Sequence, residues 1–244
     1  GVPAGELAAR RADLASGLRY PEECVFIEPH RRPHNSRVTL FVSRAPLAES
    51  EPIQWRYAKS GRVNVFAGYE FGHNVRGVGL KCRPLFTGAV IGAMPRMGKT
   101  FLTRLHALAW GLDEDTQVWI INAKGGLDYV SCAQFAHLYL SDNRPARLAP
   151  LALKALRQLQ ADIEDSYEQM ESVPVDRCPE SQVTEEMARD RKLGIPARLL
   201  IMEELQRLYS IKTPVDGGEP GPGRKSIGKE IQDLVEDIVK AAPA

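Results

Sequence analysis

One segment constrains this chain more than any other: Ala93-Met-Pro-Arg-Met-Gly98-Lys99-Thr100. The apolar run Phe86-Thr-Gly-Ala-Val-Ile91 leads into it and reads as a buried strand. The amphipathic stretch Thr100–Trp110 leads out and reads as a helix. A tight loop between strand and helix turns its backbone N–H groups inward. The following helix adds its positive N-terminal end, so the two together cradle phosphate oxygens. The spacing fits G-x4-G-K-[ST], with Ala93 in the first glycine position and Gly92 just before it. On this pattern Gly92, Ala93, Met94, Pro95, Arg96, Met97, Gly98, Lys99 and Thr100 bind a nucleotide. Lys99 reaches the β- and γ-phosphates, and the Thr100 hydroxyl coordinates Mg²⁺. Alanine at position 93 is expected to strain the loop, because it tolerates positive φ poorly.

A phosphate loop of this kind needs an acid at the end of a neighbouring strand. Leu199-Leu-Ile-Met-Glu203-Glu204 supplies an apolar strand ending in two acids. Glu203 stands where an aspartate is usual and would hold the Mg²⁺ shell from an arm one methylene longer. Glu204 would orient the attacking water as the catalytic carboxylate, with Lys99 stabilising phosphate charge. The base-reading N-K-x-D of GTPases is missing from Asn122-Ala-Lys124-Gly125, its nearest match.

Strands alternating with helices imply a mostly parallel sheet flanked by crossover helices, with ligands at the carboxyl ends of strands. Short strands are expected at Cys24–Ile27, Arg37–Val42, Val63–Phe66, Val78–Cys82, Gln117–Asn122 and Arg198–Met202. Helices are expected over 6–18, 151–172 and 227–240, and the polar stretch 173–196 reads as a surface excursion. The division falls into a small N-terminal α/β module with its linker over 1–60, and an ATPase domain over 61–244. At 244 residues, 43% hydrophobic and 26% charged, the chain is globular in composition. Its apolar run near Leu85–Met94 falls short of the roughly 20 residues that cross a bilayer. Cys24, Cys82, Cys132 and Cys178 form no C-x-x-C pair, which argues against a zinc ribbon and suits a reducing compartment. The net charge of +1 hides an asymmetry: 15 basic against 8 acidic residues in 1–100, and 17 against 23 thereafter. Starting at Gly1 and ending in Lys240-Ala-Ala-Pro-Ala244, it reads as a piece of a longer protein.

Four segments taken in order resemble the FtsK/SpoIIIE family of DNA translocases, above all its actinobacterial conjugative-transfer branch of the TraB/TraSA type. Ile91–Thr100 is similar to I-G-G-M-P-x-x-G-K-T. Ile121-Asn-Ala-Lys-Gly-Gly-Leu-Asp128 looks like D-x-K-G-G, with Asn122 for the usual Asp. Asp162–Met170 resembles E-M-E-R-R-Y-x-x-M, and Glu203-Glu-Leu-Gln206 resembles D-E-x-Q. The resemblance covers roughly 61–244.

It implies a RecA-like P-loop core that uses ATP and Mg²⁺ and assembles into a homo-oligomeric ring, as a hexamer, around double-stranded DNA. ATP hydrolysis then drives the DNA through, in plasmid transfer or chromosome segregation. The domain would be cytoplasmic, attached to the inner face of the membrane by a segment outside this chain. It would also be cut short at its C-terminal end, before a further strand and its sensor glutamine. Two rivals stand beside it: a secretion ATPase that moves protein, and a degenerate nucleotide-binding module with a structural role. Arg96 is read either as reaching the nucleotide or a neighbouring subunit, or as pointing to solvent. Lys124 is read as near the nucleotide or the DNA path, or as a surface turn lysine. Arg31 and Arg32 are read as a DNA contact or a solvated loop.

Overall fold

The computed structural model describes residues 3–30, 37–49, 51–59, 61–178, 182–218, 221 and 223–241. They fall into two compact units: Gly1–Ala58 with Glu70–Lys81, and Lys59–Tyr69 with Cys82–Ala244.

In the first unit the expected N-terminal helix is two, α1 (Ala4–Ala9) and α2 (Arg11–Leu18), broken at Arg10, which leaves helical geometry at ψ 24°. Strands β1 (Val25–Pro29) and β2 (Val38–Val42) pair antiparallel, from Val25 opposite Val42 to Pro29 opposite Val38. Arg31 and Arg32 lie outside the described residues. A second two-stranded sheet joins β3 (Tyr69–His73) to β4 (Gly79–Cys82). The Asn74 side chain closes its turn by accepting from the N–H groups of Arg76 and Val78. Arg76 pairs with Glu28 and lies 5.9 Å over the Phe41 ring, and the Trp55 indole donates to the Glu70 carbonyl. These contacts place 70–81 with the first unit, so a single cut at residue 60 does not describe the division. Val63–Phe66 is not a strand. Its buried valines are pinned singly, with the Val65 N–H donating to Asp113 at 3.0 Å.

The second unit is α/β. In chain order it holds α3 (Lys99–Gly111), β5 (Thr116–Asn122), β6 (Leu138–Ser141), α4 (Pro145–Glu171), α5 (Glu185–Arg189), β7 (Ala197–Glu203), α6 (Gln206–Tyr209) and α7 (Ile227–Ala241). Its sheet has the order β6-β5-β7, and both pairings are parallel. β5 is central and buried on both faces. Trp119 and Ile121 pack with Leu148, Leu156 and Leu159 of α4 and with Ile231, Leu234 and Ile238 of α7. Val118 and Ile120 point to the opposite face, where α3 lies against β5 and β7. Helix α7 buries Ile227, Ile231, Leu234 and Ile238, one stripe at helical spacing. Helix α4 begins six residues before its expected start, because Pro145 fits the first helical position and Pro150 sits close behind it. Strand β6 has only four residues and gives little alternation to read.

A second expected strand is also overturned. Phe86–Ile91 forms no strand: Thr87–Val90 are exposed, and Val90 is wholly so, at 100%. A β-type run becomes a strand only when a neighbour satisfies its backbone groups. Here β5 already has a neighbour on each side, and 86–91 pairs with none of the three strands. No helix among the described residues is long and apolar enough to cross a membrane.

Candidate functional site

Strands β5 and β7 run parallel with Asn122 opposite Glu203, so their carboxyl ends finish side by side. The Ala123 N–H extends the ladder by donating to the Glu203 carbonyl at 3.1 Å. Helix α3 starts at Lys99, after Gly98 in left-handed geometry at φ 84°. This brings together residues more than 100 positions apart. Lys99 Nζ lies 2.8 Å from Glu204 Oε1 and 3.3 Å from Glu203 Oε1. The Thr100 hydroxyl donates to Glu203 Oε1 at 3.3 Å.

Glu203 is buried, with 4% of its surface exposed, and a buried carboxylate needs donors. Besides Lys99 and Thr100, the Tyr129 hydroxyl donates to its Oε2 at 3.0 Å. Burial pushes the Tyr129 phenol well above its ordinary range, so it stays protonated as a donor. Glu204 is more open and sits at φ 55°, a left-handed conformation in a residue with a long side chain. Strain of this kind persists where surroundings impose it, and it clusters at sites of function. The Lys99 ammonium, helped by a hydrogen bond from the Gln206 amide, holds the Glu204 carboxyl below the usual carboxylate range. In return the Lys99 ammonium is pushed up, chiefly by its bond to Glu204.

Gly92 through Gly98 form an exposed loop, closed by a bond from the Met97 N–H to the Met94 carbonyl. Its left-handed residues are Arg96 (φ 66°) and Gly98, not Ala93. The expected strain at Ala93 is therefore absent. Arg96 is exposed on this loop. The fold thus gathers Lys99, Thr100, Glu203 and Glu204, while residues 92–97 form the exposed loop ahead of Lys99.

Asn122 braces the loop after β5. Its Oδ1 accepts from the Lys124 N–H at 3.1 Å, and its Nδ2 donates to the Gly125 carbonyl and to Ser141 Oγ. An aspartate could not donate to the Gly125 carbonyl, which explains the amide here. Gly125 has φ 72°, and a Cβ there would stand 2.7 Å from the Asn143 nitrogen. Arg207 ties the Ala123 and Asn143 carbonyls together from α6. Lys124, half exposed beside Asp128 at 2.8 Å, sits two residues past the partner of Glu203. Tyr129 and Arg207 were not legible as site residues. Each acts across 64 to 84 positions of sequence, and nothing local marks them.

Thr100 and Glu203 offer an oxygen-only pair. Among the described residues no group of three or more His, Cys, Asp or Glu gathers into a metal site. One hydroxyl and one carboxylate suit Mg²⁺, which keeps waters and takes phosphate oxygens, rather than zinc. No protein-family model matches the chain, and neither a curated protein nor a solved structure does.

Proposed function

We propose that the second unit is a RecA-like P-loop ATPase that binds ATP with Mg²⁺ at the carboxyl ends of β5 and β7, and that its hydrolysis drives movement of double-stranded DNA. The observation that carries the ATPase reading is the meeting of Lys99 and Thr100, at the start of a helix behind a glycine turn, with the Glu203–Glu204 pair. The DNA-motor part rests on the resemblance to FtsK/SpoIIIE translocases, as do the homo-oligomeric ring and membrane attachment outside this chain.

The chemistry follows from the residues. With a triphosphate present, Lys99 exchanges its carboxylate partners for phosphate oxygens, its donors staying charged throughout. Thr100 and Glu203 would hold Mg²⁺, which would supply positive charge against the phosphate oxygens. Glu204, released by Lys99 and steadied by Gln206, accepts a hydrogen bond from the attacking water and aims it. A glutamate carboxylate is ionised at neutral pH, so Glu204 can accept once Lys99 has turned to phosphate.

The run at 86–91, which forms no strand and is exposed over 87–90, supports a second reading, a module that binds nucleotide without turnover. Steady-state ATP hydrolysis with and without double-stranded DNA, with Lys99→Ala as control, separates the two. Turnover that rises with DNA and vanishes in the control supports the motor. DNA-indifferent turnover moves weight to a protein-moving ATPase, and nucleotide binding without turnover supports the module.

A further inference from the structure

We propose that Tyr129 is a positioning residue that fixes the long carboxylate arm of Glu203 for the Mg²⁺–nucleotide, an inference that rests on the ATP-site reading above. A glutamate where an aspartate is usual carries an extra rotatable bond, so its carboxylate has more places to go. In this chain the carboxylate is shared out between two sides. Oε1 faces Lys99 Nζ and the Thr100 hydroxyl, each at 3.3 Å. Oε2 takes the Tyr129 hydroxyl at 3.0 Å. Tyr129 is fully buried, so this donor is not exchanging with water.

The Tyr129 oxygen is in turn bonded to Thr103 Oγ1, three residues beyond Thr100 on α3. An ionised carboxylate can only accept, so Tyr129 donates to Glu203, and Thr103 turns its one hydroxyl hydrogen to Tyr129 rather than to the Thr100 carbonyl 3.1 Å from its Oγ1. The chain of bonds therefore leaves α3 at Thr103, passes through Tyr129 to Glu203 on β7, and returns to α3 at Thr100. A closed circuit of this kind sets the distance between the two Mg²⁺-side oxygens. It leaves Oε1 alone to face the metal's water shell and withholds Oε2. The tyrosine thereby offsets the extra methylene of Glu203.

The test reads Mg²⁺ dependence rather than turnover. Binding of a fluorescent ATP analogue is titrated with Mg²⁺, and separately measured in EDTA, for the full chain. Tyr129→Phe is expected to raise the Mg²⁺ concentration at half-effect by roughly 10-fold, as loss of a partner behind a metal ligand does, while binding in EDTA stays as it was. Thr103→Val, which removes the far end of the circuit, shifts it the same way by less. In a Glu203→Asp background the shorter carboxylate is out of reach of the tyrosine, so adding Tyr129→Phe changes nothing further. An unchanged Mg²⁺ half-point in Tyr129→Phe overturns the proposal. So does an equal loss with and without Mg²⁺, which marks a merely structural tyrosine, or an equal shift in the Glu203→Asp background. A wild-type chain that binds no nucleotide overturns the site reading itself, a result plainly distinct from these.

Discussion

The two halves of the candidate site are built in opposite ways. At the end of β7, Glu203 and Glu204 are held by a strand paired with β5 over seven positions, and Glu203 lies buried among Lys99, Thr100 and Tyr129. Ahead of Lys99, residues 86–98 run without a strand partner, with Val90, Met94 and Met97 open to solvent. The same chain thus sets its acidic half by sheet register and leaves the approach to its phosphate loop unpaired. The difference teaches that an apolar run makes a strand only where the sheet has a place for it, whereas a charged site can assemble from a helix start and a single strand end.

The contrast can be broken or sharpened at several points, from large effects to small. Glu204→Gln is expected to lower ATP turnover by about 10²–10⁴-fold while leaving nucleotide binding in place, since the group aims water rather than phosphate; single-turnover kinetics check this. Ile231→Ala, in the core beneath the acidic half, is expected to cost about 2–5 kcal/mol in urea unfolding. Val90→Ser, in the unpaired half, is expected to change stability by no more than about 0.5 kcal/mol. Comparable losses at both positions would mean that 86–91 is packed after all. Gly125→Ala is expected to cost on the order of 1–3 kcal/mol, because it adds a Cβ against Asn143 in left-handed backbone.

The smallest effect is electrostatic. The Lys99–Glu204 pair is partly exposed and contributes under about 1 kcal/mol. Glu204 has its pKa lowered on folding, so its share is present above the ordinary carboxylate pKa and is lost as pH falls through the lowered value. Lys99 is raised, so its share is lost only as pH climbs through that higher value. The thermal-midpoint difference between wild type and Glu204→Gln should therefore hold steady near neutral pH and fade under acid. A difference that grows on acidification would contradict the pairing.

Much of this was legible from residues because periodicity reports burial. The stretch read as helical over 227–240 matches α7, and the β-rich run ending at Asn122 matches β5. The glycine turn and helix start at Gly98–Thr100, and the paired acids after β7, gave the contacts at the centre of the site. What escaped depends on partners far away in sequence. Phe86–Ile91 has strand composition but no neighbour. Strand β6 is too short to show alternation. The hairpin of β3 and β4 joins the first unit through Arg76 and Trp55, contacts that no local pattern announces. Tyr129 looks like an ordinary core aromatic until its hydroxyl is seen to end on Glu203.

The most direct test of the central claim is equilibrium binding of ATP, by calorimetry, to wild type and Lys99→Ala with and without Mg²⁺. The account predicts that wild type binds ATP, that Mg²⁺ tightens the binding, and that Lys99→Ala weakens it by at least about tenfold, the loss of one charge-assisted contact to phosphate. Equal binding by the two proteins, or none by wild type, would contradict it.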